Sequence, residues 1–145
     1  MQTIRLVYSS VGQPNLDYEA LTGILRTAQT HNEVSGITGV LCYAQGFFLQ
    51  ALEGERGAVN RLYHRIALDH MHTECQIMQT ETIHTRSFVE WSMKLIGWED
   101  APTAQRRALL LRHAGVTSFN PAQMTGEQAV GFLQDLADLE RRKAA

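Results

Sequence analysis

From Thr3 to Ser9 apolar and polar positions alternate, with Ile4, Leu6 and Tyr8 on one side and Arg5, Val7 and Ser9 on the other. That two-residue period predicts a strand. Gly12, Gln13, Pro14 and Asn15 break it. The period then changes: Leu21, Ile24, Leu25 and Ala28 recur at helical spacing and predict a helix over 17–29, capped by Asn15 or Asp17. The polar run Thr30, His31, Asn32, Glu33 reads as its end, which places Asn32 just past the helix. Two strands follow, 36–43 and 47–53. Ala44, Gln45 and Gly46 between them have the length and closing glycine of a bulged hairpin. Val59, Leu62, Tyr63 and Ile66 predict a second helix over 56–68. Segments 74–83 and 90–97 read as a fourth and a fifth strand, and on the last Trp91, Met93 and Leu95 share a face.

The order is βαββαββ. It predicts an α+β, ferredoxin-like sandwich with two helices on one face of a five-stranded mixed sheet. Two more helices are expected in the tail, over 102–114 and 125–142. The stripe Ala129, Val130, Leu133, Leu136 and Ala137 must bury against the sheet's uncovered face or against another chain. The expected division is therefore a domain over 1–98 and a C-terminal helical extension over 99–145.

Composition narrows the class. The 145 residues are 44% hydrophobic and 19% charged, with net charge −2, which gives no general electrostatic reason to expect nucleic acid or an anionic membrane as partner. No apolar run approaches the roughly 20 residues that span a bilayer, and the N-terminus lacks a signal-peptide core. Cys42 and Cys75 lack CxxC spacing and read as reduced core thiols, so the expected location is cytoplasmic.

Four polar or soft residues are odd for a core. Tyr8 continues the face of Ile4 and Leu6, Gln50 lies with Phe48 and Leu52, Met93 lies with Leu95, and Asn32 adds an amide at the rim. A buried amide without hydrogen-bond partners costs about 1–3 kcal/mol, so Gln50 needs either a neighbouring side chain or a bound polar ligand. A flat ligand with several hydrogen-bonding atoms would suit a slot between the two helices, with Ile24 and Ile66 as its apolar walls. Each residue alone also has a plain structural reading: a core tyrosine, a backbone-bonded amide, core filler, a helix end.

Taken together, the segments RLVYSS around Tyr8, HNEVSGITGVLCY around Asn32, GFFLQALEGE around Gln50, YHRIALDHMH over 63–72 and FVEWSMKL around Trp91 and Met93 resemble the BLUF domain, a blue-light sensor that binds flavin. The resemblance covers about Ile4 to Gly97, and the two-helix tail is similar to that of short, stand-alone members. It implies bound FAD, with FMN or riboflavin as alternatives. It also implies that Ile24 and Ile66 sandwich the ring and that Asn32 bonds its pyrimidine edge. Asp69 and His72 would lie near the cofactor, Arg65 would meet its phosphates or ribityl chain, and His31 stands at a variable family position. The photoactive set it implies is Tyr8, Gln50, Trp91 and Met93, with Gln50 bonding both the flavin and Tyr8. Gln50 would exchange contacts with Met93 or Trp91, and the shift would reach the tail through Gly97 and Trp98. A homo-oligomer (a dimer or larger ring) and a separate response-regulator-like partner are implied as well, with no enzymatic activity, no nucleic acid and no membrane.

Two other functions fit a ferredoxin-like sandwich. An acylphosphatase-like enzyme needs a phosphate-cradling loop after the first strand, for which Ser9 to Gln13 is poor. An RRM-type RNA-binding sheet needs exposed aromatics and a basic surface. A cysteine-adduct photosensor is disfavoured because Cys42 lies in no matching motif. A metal site is disfavoured because His64, His70 and His72 would need convergent geometry and a further ligand.

Overall fold

The strand that carries Gln50 is the middle of the molecule. In the computed structural model, which describes residues 2–98 and 102–144, β1 (Thr3–Gly12), β2 (Thr38–Ala44), β3 (Phe47–Glu55), β4 (His72–Thr82) and β5 (Lys94–Trp98) form one sheet in the order β4-β1-β3-β2-β5. β5 runs parallel to β2, and the other neighbours are antiparallel. Helices α1 (Tyr18–Ser35) and α2 (Arg56–Ala67) cover one face; α3 (Ala104–Ala114) and α4 (Gly126–Ala144) cover the other. This is the expected mixed, ferredoxin-like sandwich with two C-terminal helices.

Because helices stand on both faces, the central strands are apolar on both sides. Ile4, Leu6, Phe48 and Leu52 meet Leu21, Val59 and Leu62 under α1 and α2. Val7, Cys42, Leu49 and Ala51 meet Leu110, Phe132, Leu133 and Leu136 from the tail. The tail stripe thus buries against this chain's own sheet.

The structure corrects several expected boundaries. α1 runs six residues beyond the expected end, because Gly36, at φ 70°, supplies the left-handed cap and donates its N–H to Asn32 O. Asn32 therefore sits inside the last turns of the helix rather than past it. The hairpin turn has two residues, not three: Ala44 pairs with Phe47, and Gln45 and Gly46 take φ 52° and 85°. Two consecutive positive φ values match the twist of a hairpin, so no bulge is needed.

The largest correction concerns the fifth strand, which begins only at Lys94. Residues before it form a loop: Trp91 N–H donates to Phe88 O, and Trp91 O accepts from Gly39 N–H. Strand alternation does not hold there, so Trp91 and Met93 do not share a face. Trp91 packs against the tail-side core, and Met93 belongs to the core under α1 and α2. The expected boundary between residues 98 and 99 falls beside 99–101, which lie outside the described residues.

Candidate functional site

The antiparallel register of β1 and β3 sets Tyr8 directly opposite Gln50. Both are buried. The Tyr8 hydroxyl donates to Gln50 Oε1, and Gln50 Nε2 donates to Met93 Sδ at 3.2 Å. Phenol, amide and thioether thus form one continuous buried chain under the helices. The amide is both donor and acceptor in it, which only Gln or Asn can be among uncharged side chains of this shape.

Aromatic rings wall Tyr8 in: Tyr63 lies edge-on at 5.4 Å and His72 at 6.2 Å. Burial, and then Cys75, Tyr63 and Asp69, hold the phenol well above its ordinary 10.0. The sign of the consequence is definite. A raised folded-state value means that the unfolded chain gives up this proton first, so the stability from Tyr8 is complete below pH 10 and is lost as pH rises beyond it. Denaturation midpoints should hold steady from pH 8 toward 10 at this site and fall above it. Tyr8→Phe should flatten that fall.

Asn32 is buried on α1. Its Nδ2 donates to Ser92 O at 2.9 Å, while its Oδ1 is buried and has no partner. An unpaired buried acceptor of this kind is expensive, and a bound N–H donor removes the cost. α1 has a second peculiarity: of its 18 residues only Leu21 and Asn32 are buried. Ile24 is only half-buried, and so is Ile66 on α2. An amphipathic helix normally buries its apolar stripe, so Ile24 and Ile66 keep apolar surface that protein alone does not cover.

His72 is held at both ring nitrogens. Nε2 faces Ile66 O at 2.7 Å, an atom that can only accept, so Nε2 donates there, and Nδ1 shares a hydrogen bond with Ser10 Oγ, also at 2.7 Å. His31 and Arg65 bond each other across the mouth of the two helices, the guanidinium as donor. Asp69 is exposed and accepts Met71 N–H at 2.9 Å, which closes the turn after α2.

The structure therefore brings together Tyr8, Gln50, Met93 and, nearby, Asn32 and His72. It sets Ile24, Ile66, His31 and Arg65 along the two helices and leaves Asp69 at their end. It moves Trp91 to the opposite face of the sheet, where the Arg141 guanidinium lies 4.9 Å above its ring. Three contributors were not read from sequence: Tyr63, which looks like an ordinary core position of α2; Ser92, whose carbonyl holds Asn32; and Gln29, whose Nε2 donates to Met93 O at 2.9 Å. Only the YHRI run around Tyr63 carried a signal for any of them.

Two helices over a sheet, half-buried isoleucines on both, an unpaired buried acceptor at Asn32 and a phenol–amide–thioether chain beneath make a candidate site for a flat cofactor rich in hydrogen-bonding atoms. Residues 3–94 match the family model described as BLUF, sensors of blue-light using FAD, and the chain belongs to that family. It is 35% identical over 89 residues to photoactivated adenylate cyclase subunit beta of Euglena longa, an alignment covering 61% of this chain and 10% of that one. It is 42% identical over 73 residues to photoactivated adenylate cyclase subunit alpha of Euglena gracilis, covering 50% and 7%. The chain thus spans about a tenth of the curated relatives it matches. Among solved structures, BlsA in its photo-activated state superposes with TM-score 0.83 at 32% identity, covering 92% of this chain and 94% of that one. BlrB, a BLUF protein in its dark state, gives 0.75 at 26%, covering 96% and 97%. A bacterial light-regulated adenylyl cyclase gives 0.65 at 41%, covering 66% of this chain and 28% of that one.

Members of the family bind flavin, FAD by the family's description. The residues present here fit that group. Asn32 offers a buried acceptor to a ring N–H, Gln50 offers both signs of hydrogen bond, and Ile24 and Ile66 offer apolar faces. Among the described residues no helix is long and apolar enough to cross a membrane.

Proposed function

We propose that this chain is a blue-light photoreceptor in which non-covalently held FAD, or FMN or riboflavin in its place, drives a rearrangement of Gln50. The observation that carries the reading is the buried chain from Tyr8 through Gln50 to Met93. Residues 1–98 are the flavin-binding unit and 99–145 the helical extension. Asn32 holds the pyrimidine edge, Ile24 and Ile66 flank the ring, and Arg65 and His31 close the mouth. His72 and Asp69 fix the turn at the far end of α2.

Bound flavin supplies a strong oxidant on absorbing blue light. Tyr8 is the electron donor, and an oxidised phenol is a far stronger acid than the resting one. Its proton passes to Gln50 Oε1, the atom that it already bonds. The proton then returns through Gln50 to Tyr8 as Tyr8 regains its electron, and the amide would settle with its donor and acceptor ends differently directed, which changes what Met93 receives. No atom of the protein is consumed. This is a switch and not a catalytic cycle.

Output needs an element with two forms that the switch favours unequally. The loop 87–93 meets both sides. Met93 bonds Gln50 at one end, while Arg141 of α4 bonds Glu90 and Ser87 O and covers Trp91. At the end of β5, Trp98 lies under Arg106, which pairs with Glu140. Both routes lead to the tail, and from there to a second copy or to a response-regulator-like protein in the cytoplasm. Met93→Ala should keep the light-induced spectral shift and remove the light-dependent change in elution on size-exclusion chromatography; an unchanged elution response would rule this route out.

The other two readings lose support on particulars. Ser9 to Gly12 continue β1 and form no phosphate-cradling loop, and the sheet face that an RRM would use is covered by the tail. The decisive experiment is the colour of the protein. A yellow protein whose flavin absorption shifts red under blue light and recovers in the dark is expected; a protein that stays colourless after refolding with FAD would sink the proposal.

A further inference from the structure

β5 is an edge strand. It pairs with β2 on one side, and its other side faces α1 across a groove of about 620 Å³. Asn32, Ile24 and Ile66 do not line this groove. Its walls are Leu16 just before α1, Leu21 and Leu25 of α1, Tyr43, and Leu95 and Trp98 of β5. Native proteins usually cover or disarm a free edge, since its main-chain groups are a template for another strand.

Among the described residues the edge is capped at both ends and no strand pairs with its middle. Gln29 Nε2 donates to Met93 O at 2.9 Å, and Arg106 Nη1 donates to Gly97 O at 2.9 Å. Carbonyls two residues apart on a strand point the same way. The Leu95 N–H and C=O therefore point into the groove between the two caps. The charges of the groove are also unequal in freedom. Asp17 is committed to the cap of α1, and Arg106 pairs with Glu140 at 3.2 Å. The Asp17 carboxylate remains in the groove but sits on the positive end of α1, whereas Lys94 has no carboxylate partner among the described ion pairs and is the groove cation left for an incoming carboxylate.

We infer that this groove receives an extended, acidic peptide segment of a partner protein, which pairs with Leu95 as a sixth strand and sets a carboxylate against Lys94. Strand addition of this kind takes affinity from main-chain bonds and specificity from pockets for alternate side chains. The apolar wall of α1 supplies such a pocket. Met93 also lines the groove, and its Sδ is the atom that Gln50 bonds. Occupancy is thereby tied to the state of Gln50; this coupling rests on the function proposed above, whereas the docking surface does not.

The test is selection of random eight-residue peptides, displayed on phage, against the flavin-loaded protein in the dark. Peptides bearing Asp or Glu among β-prone residues are expected to enrich. Their synthetic forms should bind Leu95→Pro and Lys94→Glu at least about tenfold more weakly than wild type. Leu95→Pro removes an N–H that no strand of the protein uses, as edge positions tolerate, and Lys94→Glu leaves the main chain intact. The flavin spectrum reports that each variant is folded. No enrichment, or selected peptides that bind both variants as tightly as wild type, would overturn the site. Binding that depends on the groove but is equal in dark and light would leave the site standing and remove only its coupling to Gln50. A missing red shift in wild type would instead count against the photoreceptor reading alone.

Discussion

Gln50→Leu leaves the protein yellow and abolishes its red shift under blue light. Leu has nearly the volume of Gln and matches the apolar neighbours Phe48 and Leu52, so the core under α1 and α2 stays filled and Asn32 keeps its unpaired acceptor. What disappears is the only group that both receives the Tyr8 hydroxyl and donates to Met93. Without it the electron donor has no path for its proton, and nothing remains to be re-oriented. The change also carries a stability signature. It strands a buried hydroxyl on Tyr8, which costs about 1–3 kcal/mol, whereas replacing both partners by apolar groups is nearly neutral. Tyr8→Phe/Gln50→Leu should therefore be more stable to denaturant than Gln50→Leu alone. Dark and illuminated absorption spectra and two denaturation curves measure both effects; a normal red shift in Gln50→Leu would place the switch in another residue.

Glu53→Ala unfolds the protein most readily of the substitutions considered, by about 3–5 kcal/mol, the cost typical of breaking a buried ion pair. Glu53 is fully buried on the tail side of β3. Its carboxylate accepts from Arg5 Nε at 3.0 Å and from the main-chain N–H of Ser87 and Phe88. Removing it leaves the nearly buried Arg5 guanidinium with only the half-exposed Glu81 and Ser87 Oγ, and strands two N–H groups at once. Natural domains are stable by only about 5–15 kcal/mol, so the loss is a large fraction of the total. Glu90→Ala offers the contrast: Glu90 also bonds an arginine, Arg141, but is exposed, and its loss should cost at most about 1 kcal/mol. Urea denaturation of the two variants side by side checks the difference; equal midpoints would mean that the Arg5–Glu53 pair does not hold the sheet to the loop 87–93.

The Arg5–Glu53 pair also shows where reading from sequence stops. Alternation along β3 puts Glu53 on the face of Leu49 and Ala51, but at a strand end such a residue looks like a solvated charge. Its burial depends on the loop 87–93 folding back over it, a contact 34 residues away in the chain. Trp91 is the same lesson with the opposite outcome. A two-residue period through FVEWSMKL suggested one strand, and a loop that donates and accepts along its own turn broke the parity. Asn32 was legible as a polar residue near the helix mouth, but its place inside α1 turned on Gly36, four residues on, adopting the left-handed cap.

Local periodicity determined the order βαββαββ, the apolar stripes of α1, α2 and α4, and the shared face of Gln50, Phe48 and Leu52. These follow from backbone geometry, which repeats every two residues in a strand and every 3.6 in a helix whatever lies opposite. The motifs around Tyr8, Asn32 and Gln50 determined the family. Tertiary structure alone decided that Tyr8 stands across from Gln50, that Met93 and not Trp91 completes the chain beneath the helices, and that the tail closes this chain's own sheet. Register, loop reversal and layer packing are set by contacts between residues far apart in sequence, and no local period records them.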